Sequence, residues 1–387
     1  MSFFVLILMA IGKKINLSDR LILKEALNQN SFSSIIVLLR RIFKYTLFFE
    51  LIGAIIMSSV FIPQFGMQKG IFYSIFHSIS AFCNSGIDIL GNNSLINYEN
   101  NIIINITVMT LIIIGGLGFT VWSDISNALK KRIKEKTSYR RLIREFTLHT
   151  KIVLLTTTIL LITGTILIYF FEYNNLTTMA QNSNGEKLLK AAFQATTLRT
   201  AGFSTINQNE MTSVSKLIST CYMFVGGSPG STAGGIKNVT ILVVLLLVLS
   251  YMKDKDKINI FNRNIPEGVI KRAVVVFAIS ILIVIMATLG LLFTENYIKE
   301  EILSSELVQF YTPSLMEILF EVVSAFGTVG LTLGITPTLS MSGKIILIIL
   351  MIIGRLGPVT ISVALLKNKK ENKEILVNYP SETLLIG

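Results

Sequence analysis

The chain has 387 residues, 51% of them apolar and 15% charged, with a formal net charge of +12 and a mean hydropathy of +0.65. That composition excludes an ordinary soluble domain: several apolar runs reach the roughly 18 residues needed to cross about 30 Å of hydrocarbon. The two cysteines and two histidines lack ligand spacing, and no nucleophile–base set stands out, so neither metal chemistry, disulfides nor an enzyme is expected.

Residues 1–11 are apolar, but the basic pair Lys13-Lys14 follows them and no small-residue cleavage site comes after, so no signal peptide is expected. The stretch reads as the inner end of a membrane helix running into a basic linker. Spans are then expected near 45–62, 102–126, 150–171, 213–250 (interrupted), 270–293 and 343–366. Of the 35 Lys and Arg residues, 26 fall in four segments, 11–44, 126–152, 252–272 and 367–373, which are alternate connections. The positive-inside rule puts these in the cytoplasm and argues against nucleic acid as a partner. The opposite connections carry Asp88, Glu99, Glu172, Glu186, Glu210, Glu295, Glu300, Glu301 and Glu306. Together they would concentrate cations at an outer mouth; singly, each could simply keep a loop solvated.

One pattern occurs three times. A short helical stretch (71–79, 186–194 and 315–323) leads into a loop ending at a lone glycine. The loops read Ser80-Ala81-Phe82-Cys83-Asn84-Ser85-Gly86-Ile87, Thr196-Thr197-Leu198-Arg199-Thr200-Ala201-Gly202-Phe203 and Ser324-Ala325-Phe326-Gly327-Thr328-Val329-Gly330-Leu331. Each has a hydroxyl six residues before its glycine, and a second glycine cluster begins at Gly115, Gly226 and Gly354, offset by 29, 24 and 24 residues. A period of roughly 120 residues with matched sub-motifs marks a repeat. Helices of nine to twelve residues reach about 15 Å, half the hydrocarbon, so they read as re-entrant pore helices whose C-terminal ends favour a cation. A glycine lets the chain turn and present carbonyls to an ion. Asn84, Ser85, Gly86, Thr200, Ala201, Gly202, Thr328, Val329 and Gly330 are therefore the candidate ion filter, built on backbone rather than on acids. Arg199, the charge within these loops, is expected to brace carbonyls behind the filter.

The segment Gly226-Gly227-Ser228-Pro229-Gly230-Ser231-Thr232-Ala233-Gly234-Gly235-Ile236-Lys237 breaks an apolar span. Its glycine spacing approaches a phosphate-binding loop, but Ile236 intrudes before Lys237 and no strand precedes it. Such backbone at membrane depth must be shielded or line a cavity, so it reads as a gate or, more plainly, as a static helix break. Arg355, deep in the last span, is expected to face the pore and meet this loop, with snorkelling to an interface as the plain alternative.

These residues (226–237, 199–203, 324–331 and 354–358) resemble the KtrB-type membrane subunits of bacterial Ktr potassium uptake systems, in the Trk/Ktr/HKT superfamily, over essentially the whole chain. The resemblance implies an all-α polytopic protein of M1–P–M2 units with re-entrant pore loops around a pseudo-fourfold pore, in the bacterial plasma membrane. It also implies K⁺ as the transported ion at the filter, a homodimer, and a cytoplasmic ring of RCK-type subunits that holds the regulating nucleotide; this chain would bind no cofactor. The expected divisions are 1–44 (inner end of the first M2, and linker), 45–149, 150–269 and 270–387 (second to fourth units, the last with the tail). A fourfold pore needs four loops and three are found, so the first unit is incomplete in this chain. A Na⁺- or H⁺-coupled secondary transporter and a non-conducting subunit remain as rivals. Against the first, Glu50 and Asp124 lie near the cytoplasmic ends of their spans rather than deep within them. The apolar end at 379–387 tucks into a partner or stays disordered.

Overall fold

The computed structural model describes residues 33–91, 93–136, 138, 143–255, 257–297 and 313–357, excepting the side chains of 33–40 and 296–297. The expected span ends beyond 357, Glu300, Glu301, Glu306, the first 32 residues and the C-terminal segment lie outside them. Regular structure among the described residues is helical, apart from a short hairpin of β1 (Asn259–Ile260) and β2 (Arg263–Asn264). Among the described residues, three helices are long and apolar enough to cross a membrane, or four if one sharply bent pair counts as a span. The protein is an all-α polytopic membrane protein.

Its plan is one motif used three times: a long helix, a shorter helix folded back against it, and a second span. The first set comprises α1 (Ser33–Phe65), α2 (Met67–Phe82) and α3 (Ile102–Leu117), followed by α4 (Phe119–Glu135). The second comprises α5 (Leu148–Glu172), α6 (Asn184–Thr197), and α7 (Ser213–Phe224) with α8 (Asn238–Tyr251). The third comprises α9 (Glu267–Leu292), α10 (Leu315–Gly327) and α11 (Met341–Leu356). The returning helices α2, α6 and α10 have 16, 14 and 13 residues, longer than their apolar stretches suggest. Ser183 and Ser314 start α6 and α10 in capping boxes with Glu186 and Glu317. Gly66 (φ +79°) reverses the chain between α1 and α2, and a Cβ on Gly70 would lie 2.5 Å from Ile62 Cα, so glycine lets these two helices touch.

The span expected over 102–126 is two helices: the chain bends by 94° at Gly118, whose φ of +92° no helix accommodates. α4 beyond it is amphipathic and basic, the composition of a helix lying along a membrane surface. In the third set α11 stops at Leu356, before Gly357 with φ +87°. Gly118 and Gly357 hold the same place in their sets, so the glycine three residues past Gly115 or Gly354 ends a helix each time.

Two acids expected at the outer mouth are structural instead. Glu172 is fully buried at the end of α5; it accepts from Asn175 Nδ2 (2.7 Å), Thr178 Oγ1 (2.6 Å), and the amide (2.8 Å) and hydroxyl (2.9 Å) of Thr212, the N-cap of α7. Glu295, also buried, accepts from the amide (3.1 Å) and hydroxyl (2.6 Å) of Ser340, the N-cap of α11. A carboxylate at the head of these two second spans fits the helix dipole, while Asn101 caps α3 in the first set. Glu172→Ala leaves four donors short of their acceptor and should destabilise the protein by roughly 3 kcal/mol or more. Unfolding midpoints in detergent should fall far further for that change than for Glu186→Ala at the exposed start of α6.

Candidate functional site

The three lone glycines meet at one place. Gly86, Gly202 and Gly330 have φ of +67°, +85° and +90°. A Cβ on Gly86 would collide with the Ala201 carbonyl oxygen and lie 2.7 Å from Gly202 Cα; one on Gly202 would collide with the Val329 carbonyl oxygen. The turns are thus ordered head to tail, each carbonyl before a glycine abutting the next turn's glycine. Gly330 is the exception, with only Gly202 Cα, at 3.9 Å, near an added Cβ. On its open side a cavity of about 520 Å³ is lined by Ser85, Glu321, Val329, Gly330 and Arg355 among others.

A hydroxyl near the end of each returning helix holds the residue after its glycine: Ser80 Oγ to Ile87 O, Thr197 Oγ1 to Phe203 O and Ser324 Oγ to Leu331 O, each 2.6 Å. In the middle turn this is Thr197, not the expected Thr196, whose hydroxyl donates to Ala192 O within α6. That turn is one residue tighter: Ala201 N bonds Thr197 O, whereas Ser85 N and Val329 N reach back to Ser80 O and Ser324 O. Counting back from the glycine hides this shift.

Two residues before each glycine, Asn84, Thr200 and Thr328 have φ of +51°, +66° and +52°. Non-glycine residues rarely adopt that region, and three at equivalent positions mark strain retained for a purpose. Asn84 Oδ1, Thr200 Oγ1 and Thr328 Oγ1 are buried and have no hydrogen-bond partner. Three equivalent neutral oxygens without donors are a fitting donor set for a monovalent cation.

Sequence reasoning missed a further equivalence. One helical turn before each hydroxyl lies a buried polar residue that reaches the chain beyond the glycine. His77 Nε2 accepts from Ile89 N (3.4 Å), Gln194 pairs with Gln208 (2.7 and 3.0 Å), and the Glu321 carboxylate accepts from Thr332 Oγ1 and from Thr336 Oγ1 (3.0 Å). Three different residue types disguise the register; alignment on Ser80, Thr197 and Ser324 would have revealed it.

Beneath the turns runs the segment 226–237, and hydrogen-bond accounting explains its position. The bend at Gly118 strips the last carbonyls of α3 of helical partners. Trp122 Nε1 takes Ile114 O (3.0 Å), Thr232 N takes Gly115 O (3.3 Å), Ser228 N takes Gly116 O (3.0 Å) and Ser228 Oγ takes Leu117 O. Phe119 N in turn donates to Gly230 O (3.1 Å). The neck is closed by Gly226 N to Ile236 O (2.8 Å) and Asn238 N to Gly227 O (3.0 Å), and Lys237 Nζ donates to Ala233 O (2.7 Å). A Cβ on Gly234 would strike Thr328 Oγ1, so the segment presses directly against the turns. Gly235 (φ +65°) shapes the descent, while Gly227, Pro229 and Ser231 line its fold onto α3.

The two arginine candidates diverge. Arg355 reaches the segment, donating from Nη1 to Thr232 O. Arg199 does not brace carbonyls as expected: it is 4% exposed, and Nε and Nη2 have no partner. Its own carbonyl accepts from Asn84 Nδ2 (3.3 Å), so the backbone makes the link assigned to the side chain. Glu50 lies within α1, and its carboxylate accepts from Cys83 Sγ (3.8 Å) at the end of α2. Of the outer acids, Glu99 pairs with buried Lys190 (2.8 Å), and Glu186 is held below the usual carboxylate range by the Ser183 amide and hydroxyl.

Gly86→Ala and Gly202→Ala add a collision to the strained φ, whereas Gly330→Ala adds strain alone. The first two should lower the unfolding midpoint clearly more than the third, each measured on purified protein.

A family model described as TrkH, a cation transport protein, matches residues 1–375. The potassium/sodium uptake protein NtpJ of Enterococcus hirae is 39% identical over 375 residues, 97% of this chain and 77% of the relative. The Ktr system potassium uptake protein B of Bacillus subtilis is 36% identical over 387 residues, 100% of this chain and 80% of the relative. Among solved structures, the potassium transporter TrkH from Vibrio parahaemolyticus shares the fold, with a TM-score of 0.66 at 18% identity over 89% of this chain and 68% of the other. With a family model spanning nearly its full length and a relative 36% identical over the whole chain, the chain belongs to the TrkH family of cation transport proteins, as a KtrB-type membrane subunit.

Proposed function

We propose that the chain takes up K⁺ across the plasma membrane, with the ion passing where the three glycine turns meet. The observation carrying this reading is the set of orphaned oxygens Asn84 Oδ1, Thr200 Oγ1 and Thr328 Oγ1, buried at equivalent positions two residues before Gly86, Gly202 and Gly330. Leaving them unpaired is costly unless a cation uses them. Carbonyls of Ser85, Ala201 and Val329, one residue further out, supply the next oxygens. Neutral donors can replace the water shell of a large monovalent ion without binding it too tightly to leave.

Segment 226–237 is the gate in this reading. It packs under Thr328 and is held by the broken end of α3 on one side and by Arg355 on the other, so both contacts must release for the path to open. The names of the relatives support work alongside other subunits; we assign the basic inner connections to a cytoplasmic RCK-type ring carrying the nucleotide, and the membrane unit to a homodimer. A second reading, coupling to H⁺ or Na⁺, draws on Glu50, a carboxylate within a long apolar helix that accepts from the Cys83 thiol.

In proteoliposomes, a K⁺ gradient alone should drive flux; a requirement for an added H⁺ or Na⁺ gradient, abolished by Glu50→Gln, would favour the coupled reading. Thr200→Val and Thr328→Val should each reduce K⁺ flux by roughly tenfold, the equivalent of about 1.4 kcal/mol. Arg355→Ala should raise flux in the absence of any regulatory subunit, because Thr232 O loses its donor; unchanged basal flux would remove Arg355 from the gate.

A further inference from the structure

We infer that an apolar cavity between the second and third helix sets binds one acyl chain of a bilayer lipid, and that this chain braces the neck of segment 226–237. The cavity measures about 400 Å³, a volume in the range of small-ligand sites. Its walls come from α7 and α8 on one side and from α9 and α10 on the other. Exposed Leu217, Cys221 and Leu245 mark its open side, and buried Val323 its inner wall.

Depth and chemistry select the occupant. α7 has 12 residues, so it reaches about 18 Å from its outer cap at Thr212. Phe224 and Val225 at its foot therefore lie a little past the middle of about 30 Å of hydrocarbon, where the open side meets lipid tails rather than water. Thr220 and Cys221 carry the polar side-chain groups of the lining. The Thr220 hydroxyl donates within α7 to Lys216 O (2.8 Å), and a thiol is a weak donor. Water needs two to four polar partners and does not find them here. An empty void forfeits dispersion contacts along its lining, which a tail from the surrounding bilayer restores.

The cavity also touches the parts that hold the segment. Val225, in its lining, pairs with Ile236 across the neck, which Gly226 N closes on Ile236 O (2.8 Å). Phe224 stacks on Phe326, with ring centroids 5.8 Å apart, and meets Phe277 edge-on at 6.4 Å. Phe326 and Val323 flank Ser324, the hydroxyl that ties the third turn. A tail in the cavity thus packs against the foot of α7 and against α10 at once, and sets the spacing between them. Without it Phe224 gains room to move, and the neck that follows Phe224 in the chain gains it too. The binding site stands apart from the transport reading above; its effect on flux rests on the gate reading of segment 226–237.

The test reconstitutes the protein in vesicles doped with a phosphatidylcholine that carries a mid-chain diazirine on one tail. Labelled residues are mapped after illumination, and basal K⁺ flux is measured in the same proteoliposomes. Labelling should concentrate in 217–225 and 241–245, several-fold above the face of α9 around exposed Leu282. Leu217→Trp and Leu245→Trp place a large ring at the exposed rim and should each cut that labelling by roughly tenfold. Leu282→Trp, exposed outside the cavity, should leave it within about twofold of wild type. Both rim variants should also change basal K⁺ flux by roughly threefold or more. Labelling spread evenly over the apolar helices, or unmoved by both rim variants, overturns the site. So does a Cys221–Cys221 disulfide joining two copies under mild oxidation without labelling, which assigns the cavity to a second copy of the chain. Displaced labelling with unchanged flux overturns the bracing of the neck. Absence of K⁺ flux from the wild type overturns the transport reading instead, and the labelling still decides the site.

Discussion

A polypeptide that turns back inside a bilayer has no water to satisfy its backbone, and this constraint organises the whole protein. Each of the three turns meets it with a hydroxyl from the returning helix that binds the first carbonyl beyond the glycine, and in two of them the carbonyl before the glycine abuts the neighbouring turn. Several buried polar atoms are left over, and among them Asn84 Oδ1, Thr200 Oγ1 and Thr328 Oγ1 stand at equivalent positions in the three turns. In a soluble protein they would be minor defects. In the function proposed above, it is their equivalence across the three turns that marks these oxygens as the place for a cation.

The same accounting joins segment 226–237 to the rest of the chain. A helix broken at Gly118 exposes four carbonyls, and three of them are claimed by Ser228 and Thr232 of the 226–237 segment. Neither partner is satisfied alone: the helix end needs the segment, and the segment, with five glycines and a proline, cannot hold a regular helix of its own. Arg355 adds a bond from the third helix set. The segment is therefore a shared strut rather than a plug. Moving it changes the hydrogen bonding of two sets at once, which favours two discrete arrangements over a continuum of them.

Much of this was legible in the sequence, and the failures have identifiable causes. Apolar length and repeated glycines locate the three helix sets and the turns, because both report backbone requirements that admit few substitutes. The break at Gly118 was hidden within an apolar run: composition says that a helix fits the membrane but not that it continues straight. The tether at Thr197 was masked by Thr196 beside it, since two adjacent hydroxyls cannot be told apart without knowing that the middle turn is one residue tighter. His77, Gln194 and Glu321 escaped notice because a position defined by geometry is filled by three chemistries. Glu172 and Glu295 read as solvated outer charges for the opposite reason: their residue type suggests water, while their place at a helix head draws them inward as caps.

The two arginines show how far residue type falls short of role. Arg355 is exposed on α11 and still finds a carbonyl, so its charge acts on the segment it touches while water shares the burden of solvating it. Arg199 is buried at the end of α6, and two of its nitrogens find nothing. A guanidinium so enclosed is expensive, and expense without contacts cannot brace a loop. What links the middle turn to its neighbour is the Arg199 carbonyl, accepting from Asn84, and any residue at position 199 would offer that carbonyl. The side chain's charge must therefore be accounted for separately from the turn it sits in. In the function proposed above, a buried cation close to the ion's path raises the cost of its approach, so the orphaned oxygens of Asn84, Thr200 and Thr328 would have to supply more attraction than the geometry of the turns alone would demand.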